Sequence, residues 1–527
     1  MRDNVLGNQL WSTYEDLTLR GGVASFLSPF DFNDYFFGLV AFKYLSEKLE
    51  IFVDNELKKE KKSFEDAWIL DEYKTAIRIN ALRELGYFVE PKHLFKNVLK
   101  NAKSTDYVLE DLGNALKSLG DSSIGTESEE DFASIFEDID LNSTKIGKNK
   151  SIRNRVILET MRQLNFLDFN VEDAEVNYLG DAYEFLINKI SRMIGRRAGI
   201  FYTPKEVSSL LAKIVSMDRY SINKVYDPAC GSASSLLELG KEIKVGEYFG
   251  QEINHSTYNI ARMNMILHGL DYRKFDIEWG DSLKNPLHKD MKFDAIVSNI
   301  PASLRWKPDD SIFKDERFSI NGLVLPKSNA DFAFILHMFY HLDDNGTMAV
   351  AVPPGVLFRN SKEKTIRKFF IENNYLDSVI SLPANLFDGT SIPTVILVFK
   401  KSRNFKDILF IDASNDFEKI KGQNILRKRD IDKIINAYAG RNEIEKYSVN
   451  VSIEKIRKNE YNLNITRYID TFVEKDPIDV EKLYHRLDQI GQELNAVNSG
   501  IKFFEEKLDI DLHLLDFIFP SFFIFFM

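Results

Sequence analysis

The chain has 527 residues, 44% of them hydrophobic and 28% charged, which predicts a globular protein of about three domains and excludes a single small binding module. The one cysteine, Cys230, excludes an intramolecular disulfide framework. The sequence has neither a secretion signal nor a run of about 20 apolar residues, so we expect a cytoplasmic protein without a membrane span. The net charge of −11 argues against a protein that coats nucleic acid through its overall charge.

The first part of the chain has the spacing of helices. From Asn8 to Ile187 the apolar residues recur mostly at intervals of three and four, without the alternation that is typical of strands. An acidic stretch at residues 121–140 indicates a solvated face or loop. Residues 1–187 are therefore predicted to form an all-helical N-terminal domain.

From about Lys224 the pattern changes to short apolar runs that alternate with helical stretches. The runs are KVYD, EYFGQE, DIEW, FDAIVSN, TMAVAVP, LDSVISLP, TVILVFKK and ILFIDA. This alternation predicts an α/β domain, assigned to residues 188–470, with a mostly parallel sheet covered on both faces. Such sheets bind ligands at the carboxyl ends of their strands, so the residues after each run are the candidates for chemistry.

The first candidate is at residues 225–232, where a strand runs into a turn of small residues that opens a helix. Such a turn lets backbone N–H groups approach a ligand closely. It lacks the Gly-Lys-Ser/Thr ending of a phosphate-binding loop, which excludes an ATPase of that type.

The second candidate is Glu252, at the end of the next run, where a carboxylate can accept hydrogen bonds from both hydroxyls of a ribose. No phosphate-binding basic residues lie nearby, which favours a methyl-donor nucleoside over a dinucleotide. The alternative is that Glu252 caps the helix that begins near Ser256. Asp281, after the third run, either contacts an adenine amino group or occupies a turn. The fourth run ends in Asn299, followed by Ile300, Pro301 and Ala302.

Residues 471–527 form a third segment, predicted to be helical. Its apolar residues alternate at spacings of four and three, as in a coiled coil, and they are Leu483, Leu487, Ile490, Leu494, Val497, Ile501, Phe504 and Leu508. Two interpretations stay open, an intersubunit coiled coil and an amphipathic helix that lies on its own domain. The terminal FIFPSFFIFFM is apolar but too short to span a membrane.

Taken together, eight motifs in order resemble the modification (HsdM) subunit of type I restriction-modification systems. They are AGIFYTPKEVSSLLAKIV, DPACGS, YFGQEINHSTYNIARMNMILHGL, the strand-end Asn-x-Pro, KSNADFAFILHMFYHL, NGTMAVAVPPGVLFR, SLPANLFDGTSIPTVILVFKK and NEYNLNITRYID. The resemblance implies an all-helical N-terminal domain, a Rossmann-like S-adenosylmethionine-dependent methyltransferase domain and C-terminal helices. It also implies methyl transfer to adenine N6 in double-stranded DNA.

By the same resemblance the chain acts in a complex. The implied partners are a specificity subunit that chooses the DNA target, a second modification subunit and, for cleavage, a restriction/translocase subunit. Partner docking is the role that this implies for residues 471–527.

The resemblance also implies roles for individual residues. The methionine end and the adenine of the cofactor are covered by Ile200, Phe201, Tyr202, Thr203, Pro204 and Lys205. The turn beside them contains Asp227, Gly231, Ser232 and Ala233, while Glu252 holds the ribose and Asp281 the cofactor adenine. Asn299 and the backbone carbonyl of Ile300 accept hydrogen bonds from the target amino group. No metal and no general base with a shifted pKa is expected.

The sequence departs from the family at the residues of the chemistry. The family has Asn-Pro-Pro-aromatic where this chain has Asn299, Ile300, Pro301 and Ala302. Ile300 lacks the fixed φ of proline, and Ala302 removes the ring on which an extruded adenine stacks, for which Trp306 is a candidate substitute. Ala233 stands where glycine is usual, and Ile200 where glutamate is common.

Two functions therefore remain open. The first is a working or weakened adenine methyltransferase subunit, and the second is a degenerate subunit that binds cofactor and partners but contributes only to assembly. A third, methylation of a glutamine side chain, uses a similar tetrapeptide, but the flanking motifs argue against it. Cys230 follows Ala229 rather than a proline, so we interpret it as a packing residue and not as the nucleophile of a cytosine-C5 enzyme.

Overall fold

A computed structural model of the chain describes residues 4–169, 171, 178–194, 203–307, 312–319, 325–326, 328–387, 390–470 and 480–508. The chain divides into two compact units, residues 1–470 and residues 471–527. Within the described ranges, no helix combines the length and the apolar character needed to cross a membrane.

The N-terminal part is helical, as predicted. Among its described residues up to position 194 there is no strand, and the helices are α1 (Val5–Thr18), α2 (Pro29–Glu56), α3 (Phe64–Trp68), α4 (Asp71–Leu85), α5 (Phe95–Thr105), α6 (Leu109–Ser123), α7 (Glu129–Phe132), α8 (Lys150–Asn165) and α9 (Tyr178–Ile194). Helix α9 runs through residue 187, where the sequence placed a domain boundary, so the secondary structure has no break at that position.

Helix α2 is the central helix of this part, because its side chains from residue 35 to residue 46 are buried all round. The burial includes Lys43, whose stem is enclosed and whose ammonium is paired. Lys43 binds the carboxylate of Glu47, donates to the carbonyl of Leu167 over 3.0 Å and lies 3.9 Å from the ring centre of Phe169. A buried lysine is tolerated here because its charge is matched and its donors are used.

In the described part of the chain, nine strands form one sheet and two more form a separate pair. The sheet contains β1 (Ser221–Asp227), β2 (Lys244–Glu252), β3 (Phe275–Trp279), β4 (Phe293–Asn299), β5 (Leu342–Val352), β6 (Leu376–Ser381), β7 (Val395–Lys400), β8 (Asp407–Asp412) and β11 (Ser448–Ser452), and the pair contains β9 (Glu418–Ile420) and β10 (Gln423–Ile425). The order across the sheet is β11-β8-β6-β7-β5-β4-β1-β2-β3. Each of the eight apolar runs in the sequence overlaps one of these strands.

The sheet is mixed. Strands β3, β2, β1, β4 and β5 are parallel, whereas β7 runs antiparallel between β5 and β6, and β11 is an antiparallel edge strand. The helices that follow residue 203 in unit 1 are α10 (Lys205–Ser216), α11 (Ser234–Glu242), α12 (His255–Leu267), α13 (Asp331–His341), α14 (Lys362–Glu372), α15 (Lys428–Gly440) and α16 (Ile453–Lys458).

Two hydrophobic clusters lie on opposite faces of the sheet, because neighbouring residues of a strand point to opposite sides. Val225 and Ala295 belong to one cluster, and Tyr226 and Ile296 to the other. The first cluster also contains the core of the helical part, for example Phe36. The helical part therefore shares a continuous core with one face of the sheet.

The carboxyl ends of the parallel strands meet at one edge. Asp227 ends β1, Glu252 ends β2, and Asn299 ends β4 in register with Ala351 of β5. Because β7 runs the other way, it begins at this same edge, with Val395 opposite Val352. This edge is where the predicted chemistry has to lie.

The second unit contains helix α17 (Val480–Leu508). Its predicted apolar stripe is exposed over most of its described length, with Leu487 at 56% and Leu494 at 57% exposure. The predicted helix is therefore present in the structure.

Candidate functional site

Asp227 joins the ends of two neighbouring strands. Its Oδ1 accepts hydrogen bonds from the backbone N–H of Ala229 over 3.0 Å and from the hydroxyl of Ser298 over 2.7 Å. Burial raises the pKa of Asp227 to about 7. The carboxyl group therefore connects the β1 turn to the residue before Asn299, and it fixes the two strand ends relative to each other.

The turn after β1 contains two left-handed residues, Gly231 with φ 56° and Ala233 with φ 63°. An L-residue with a side chain is strained in this region, whereas glycine is not. The usual family glycine at position 233 thus has a physical reason in the backbone, and Ala233 adopts the same conformation at a cost. Ser232 is buried beside it, and its carbonyl accepts a hydrogen bond from the side chain of Asn264 over 2.8 Å.

Glu252 faces this turn. Its Oε2 accepts from the backbone N–H of Gly231 over 3.0 Å, and its Oε1 accepts from that of Asn254 over 2.9 Å. Burial raises the pKa of Glu252, while these hydrogen bonds lower it in part. A carboxylate offers about four acceptor positions, so each oxygen keeps capacity for a further donor.

The alternative role of Glu252 as a helix cap is not what the structure shows. Helix α12 begins at His255, and its N-cap is Asn254, whose side chain accepts from the backbone N–H of Thr257 over 3.0 Å. Glu252 therefore bonds to the turn through Oε2 and to the backbone of the N-cap residue through Oε1, while the side-chain cap of α12 is Asn254.

Asp281 does occupy a turn. Its Oδ1 accepts from the backbone N–H groups of Leu283 and Lys284, over 3.0 Å and 3.2 Å. Its Oδ2 lies 3.8 Å from the ammonium of Lys284. Oδ1 thus makes the hydrogen bonds of the turn, as one of the two interpretations predicts. Oδ2 is left for the expected contact with an adenine.

Asn299 contacts the segment that was predicted to cover the cofactor. Its Nδ2 donates to the hydroxyl oxygen of Thr203 over 3.1 Å. Thr203 precedes Pro204, which is buried and is the N-cap of α10. With its amide hydrogen engaged by Thr203, Asn299 presents Oδ1 as an acceptor.

The remaining residues of the predicted covering segment divide into two groups. Ile200, Phe201 and Tyr202 lie outside the described residues. The ammonium of Lys205 is 3.5 Å from Glu238 and 3.6 Å from Asp181, so it faces carboxylates of α11 and α9.

The residues after Asn299 differ in exposure. Ile300 is 2% exposed and belongs to the second hydrophobic cluster, whereas Ala302 is exposed. The chain then turns at Ser303, with φ 53°, and its N–H donates to Oδ1 of the buried Asp331 over 3.0 Å. Arg359 binds the other oxygen of Asp331 over 2.7 Å.

Trp306 was a candidate for the missing stacking ring. It is only 6% exposed, and its ring packs against Phe318 with a centroid distance of 6.3 Å. In this conformation its faces are covered by protein, so an extruded base would have to displace a neighbour to stack on it.

Cys230 is buried in the first hydrophobic cluster, and burial raises the pKa of its thiol well above the ordinary value. A nucleophilic cysteine needs a lowered pKa. The environment of Cys230 therefore fits a packing residue.

Asp181, Glu184 and His268 form a cluster with metal-ligand geometry, with ligand atoms within 4.8 Å of one another. The ammonium of Lys241 lies 2.7 Å from Asp181 and 3.4 Å from Glu184. Burial lowers the pKa of Lys241, but Glu184, Glu238 and Asp181 raise it further, so the net shift is upward. Lys241 thus supplies a positive charge to this cluster, as Lys205 does at Asp181, and it links α9 to α11.

Sequence reasoning did not find Ser298, the Thr203–Asn299 contact or Asp331. The partners of these contacts lie 71, 96 and 28 residues apart in the chain. Only the positions of Ser298 at a strand end and of Asp331 at the start of α13 give a signal in the sequence.

Comparisons with known proteins identify the family of the chain. The N-6 DNA methylase family matches residues 174–477, and the HsdM N-terminal domain matches residues 6–164. The chain is 34% identical to the type I restriction enzyme MpnII methylase subunit of Mycoplasma pneumoniae, over 97% of this chain and 98% of that protein. It is 32% identical to the MjaVII methylase subunit of Methanocaldococcus jannaschii, over 75% of this chain and 69% of that protein.

A solved structure is similar over nearly its whole length. The type I restriction-modification system methyltransferase subunit from Streptococcus thermophilus has a TM-score of 0.81 and 37% sequence identity, covering 88% of this chain and 99% of that one. The two family matches together account for both the helical part and the sheet. The chain therefore belongs to the family of HsdM-type modification subunits of type I restriction-modification systems, the N6-adenine DNA methylases.

Proposed function

We propose that this chain transfers the methyl group of S-adenosylmethionine to N6 of adenine in DNA, in a complex whose specificity subunit chooses the target. The observation that carries the proposal is the position of Asn299. It ends β4 beside the Asp227–Ser298 contact and is bonded to Thr203, on the sheet edge that also holds Glu252 and the left-handed turn.

The residues at this edge fit S-adenosylmethionine. The small side chains after Asp227 leave the backbone of the turn accessible, and Glu252 keeps acceptor capacity for two ribose hydroxyls. Asp281 and the segment ending at Thr203 and Pro204 are assigned to the adenine and to the cover of the cofactor. When bound, the cofactor supplies an electrophilic methyl group.

The chain's own contribution is to hold the target amino group. Oδ1 of Asn299 and the backbone carbonyl of Ile300 accept its two hydrogens, which turns the nitrogen lone pair toward the methyl donor. In this structure Nδ2 of Asn299 donates to Thr203, which leaves Oδ1 of the amide for the base. No side chain with a catalytic pKa is needed in this arrangement.

The test is methyl transfer by the complex with its cognate specificity subunit. Labelled cofactor and a cognate duplex are incubated with the complex, and the nucleosides are separated to identify N6-methyladenine. Asn299→Ala should lower the rate by about 100- to 1,000-fold, as expected when a transition-state hydrogen-bonding group is removed. Label in another nucleoside, or an equal rate for Asn299→Ala, would contradict the proposal.

The second candidate is a degenerate subunit that binds cofactor and partners without turnover. It is supported by the buried side chain of Ile300, the missing ring at Ala302 and the strained Ala233. The same experiment separates the two, since this candidate predicts cofactor binding and complex assembly with no label in DNA.

A further inference from the structure

Arg317 is a buried arginine that the methylation chemistry does not use. Its side chain is 3% exposed and contacts the loop after β3, and the next residue, Phe318, packs against Trp306. Burying a guanidinium costs free energy unless all its donors are matched. The partners of the guanidinium therefore indicate the role of Arg317.

All five donors of Arg317 are engaged. Nε and Nη2 bind the carboxylate of Asp315, the latter over 2.7 Å. Nη1 donates to the carbonyl of Ser282 and Nη2 to the carbonyl of Leu283, each over 2.8 Å. Nη1 also donates to Nδ1 of His337 over 2.7 Å.

The first anchor of Arg317 is the loop at residues 281–283, which begins with the residue assigned to the cofactor adenine. The hydroxyl of Ser282 donates to the carbonyl of Pro228 over 2.5 Å, so this loop is tied to the turn after β1. Through Ser282, the guanidinium is linked to both loops that are assigned to the cofactor.

The second anchor is His337 of α13. An arginine N–H can only donate, so Nδ1 of His337 must accept, and its Nε2 carries the hydrogen. That N–H donates to the hydroxyl of Tyr226 over 3.0 Å, and Tyr226 is the residue before Asp227. Burial, and then His341 and Arg317, hold the pKa of His337 well below its usual value, which keeps the ring neutral as this contact requires.

On the other side, Arg317 positions Phe318. The ring of Phe318 packs against Trp306, which follows the Asn299 tetrapeptide by a few residues. The strand-like bridge between Arg305 and Asn329 and the hydrogen bond from Ala330 to the carbonyl of Leu304 hold Trp306 in place. Residues 315–318 therefore contact the cofactor side through Arg317 and the target-base side through Phe318.

We infer that Arg317 is a positioning residue that couples the cofactor loops to the target-base side of the site. A shift of loop 281–283 on cofactor binding is transmitted by the guanidinium to residues 315–318, and by Phe318 to Trp306. This inference rests on the proposed function, because it needs a cofactor at Asp281 and a base near Asn299. It makes binding of cofactor and DNA mutually dependent, as any coupling between two sites requires.

The first experiment follows Trp306 in the full-length chain. The emission of Trp306 is obtained as the difference between the unsubstituted chain and Trp306→Phe, with and without S-adenosylmethionine. We expect the cofactor to change this emission, and Arg317→Lys to reduce the change at least about threefold. Cofactor affinity should stay within about threefold, since the lysine does not remove any cofactor ligand.

A matched control excludes a general loss of stability. Arg403 is 2% exposed and binds the Asp377 carboxylate and the Asp407 carbonyl, but it lies between β6 and β8. Arg403→Lys should leave the Trp306 response intact at a comparable loss of melting temperature. Phe318→Leu leaves the contacts of Arg317 in place and removes the ring that packs against Trp306. It should therefore reduce the Trp306 response, and it tests the inference even if Arg317→Lys does not fold.

The second readout is the coupling between the two ligands in the complex with the specificity subunit. In the unsubstituted complex, S-adenosylmethionine should tighten binding of a cognate duplex by about 5- to 150-fold, the usual range of such coupling. Arg317→Lys should remove most of this factor and leave DNA binding without cofactor unchanged.

The outcomes are distinguishable. If the unsubstituted chain does not bind S-adenosylmethionine, the proposed function fails and this inference with it. If the cofactor binds and the emission of Trp306 does not change, the coupling role of Arg317 is wrong and the proposed function stands. The same conclusion follows if the emission changes equally in Arg317→Lys, Phe318→Leu and the unsubstituted chain.

Discussion

Glu252 and Asn299 show how far single residues could be assigned from the sequence. Both follow predicted strands, and both lie at the predicted sheet edge. What the sequence did not predict is how they are held, because Gly231 and Thr203 are distant in the chain and contact them only after it has folded. A position after a strand can be predicted from a pattern, whereas a contact across 96 residues cannot.

Glu252→Ala should weaken binding of S-adenosylmethionine by at least about 100-fold. Two hydrogen bonds to a charged acceptor are lost, each worth about 1.5–3 kcal/mol. Calorimetric titration measures the change in affinity. Glu252→Gln retains one acceptor oxygen, so its affinity should lie between those of the unsubstituted chain and Glu252→Ala. Glu247→Ala is the control, since Glu247 is an exposed residue of the same strand. An unchanged affinity for Glu252→Ala would refute the ribose assignment.

Ala302→Phe should raise adenine methylation by about 10- to 100-fold, because the added ring restores about 1–3 kcal/mol of stacking on the extruded base. Ala302 is exposed, so the ring has room.

Ile300→Pro restores the family residue that follows Asn299. It removes a side chain from the core and should lower the stability of the chain. The double variant should therefore methylate faster than the original but melt at a lower temperature than Ala302→Phe.

The control for the stacking argument is Ala302→Leu, which adds apolar volume without a ring. Initial rates of the complex on a cognate duplex are compared at saturating cofactor. Equal rates for the leucine and phenylalanine variants would show that stacking at position 302 is not the limiting loss.

The positions of the strands in the sequence were predicted better than their order and direction in the sheet. Each of the eight apolar runs is a strand in the structure, but the insertion of β7 antiparallel between β5 and β6 was not predicted. A buried strand is apolar whichever way it runs, so its direction leaves no trace in composition. The short strands β9, β10 and β11 were also missed, because segments of three to five residues carry little periodicity.

Ala233→Gly should stabilise the turn after β1 by about 1 kcal/mol. Ala233 has φ 63°, where an alanine is strained and a glycine is not. Thermal unfolding measures the gain. Ala229→Gly, in the same turn but outside the left-handed region, should instead destabilise by about 0.5–1 kcal/mol through the greater flexibility of the unfolded chain. Destabilisation by Ala233→Gly would show that the methyl group packs too well to lose.

Asp34 gives the contact between α2 and α12 a pH dependence. It lies 3.5 Å from the hydroxyl of Ser256, and burial, with the charge of Asp138, raises its pKa to about 7. The folded state therefore favours the protonated carboxyl. The stability that Asp34 contributes is fully present below about pH 4 and is lost as the pH rises through 7.

Asp34→Asn keeps the shape and removes the titration. The loss of unfolding free energy between pH 5 and pH 8 should be smaller in this variant by about 2.5 kcal/mol, since the titration spans about two pH units in this window and each unit corresponds to about 1.4 kcal/mol. Chemical denaturation at both pH values measures it, with Asp16→Asn on the surface of α1 as the control. A pH profile parallel to that of the unsubstituted chain would contradict the assignment.

At the scale of the whole molecule, the net charge and the exposed stripe of α17 both favour a chain that acts in a complex. We expect a chain with a net charge of −11 to bind DNA weakly on its own, because it releases few counterions from the DNA, and we expect DNA binding to require the complex. The stripe of α17 exposes apolar residues such as Leu483, Leu487 and Ile490, at 51%, 56% and 49%. An exposed stripe of this length is typical of a helix that packs against a partner.

Removal of the residues after Pro477 should leave cofactor binding intact and abolish co-purification with the specificity subunit. The residues proposed to bind the cofactor all lie in unit 1, whereas the stripe lies in unit 2. Leu487→Glu with Leu494→Glu should have the same effect without shortening the chain, because two charges cannot be buried in an apolar seam. Gln492→Ala changes a polar position of the same helix and should leave co-purification unchanged. If the complex survives the two glutamates, the stripe is not the docking surface, and the specificity subunit must bind elsewhere on the chain.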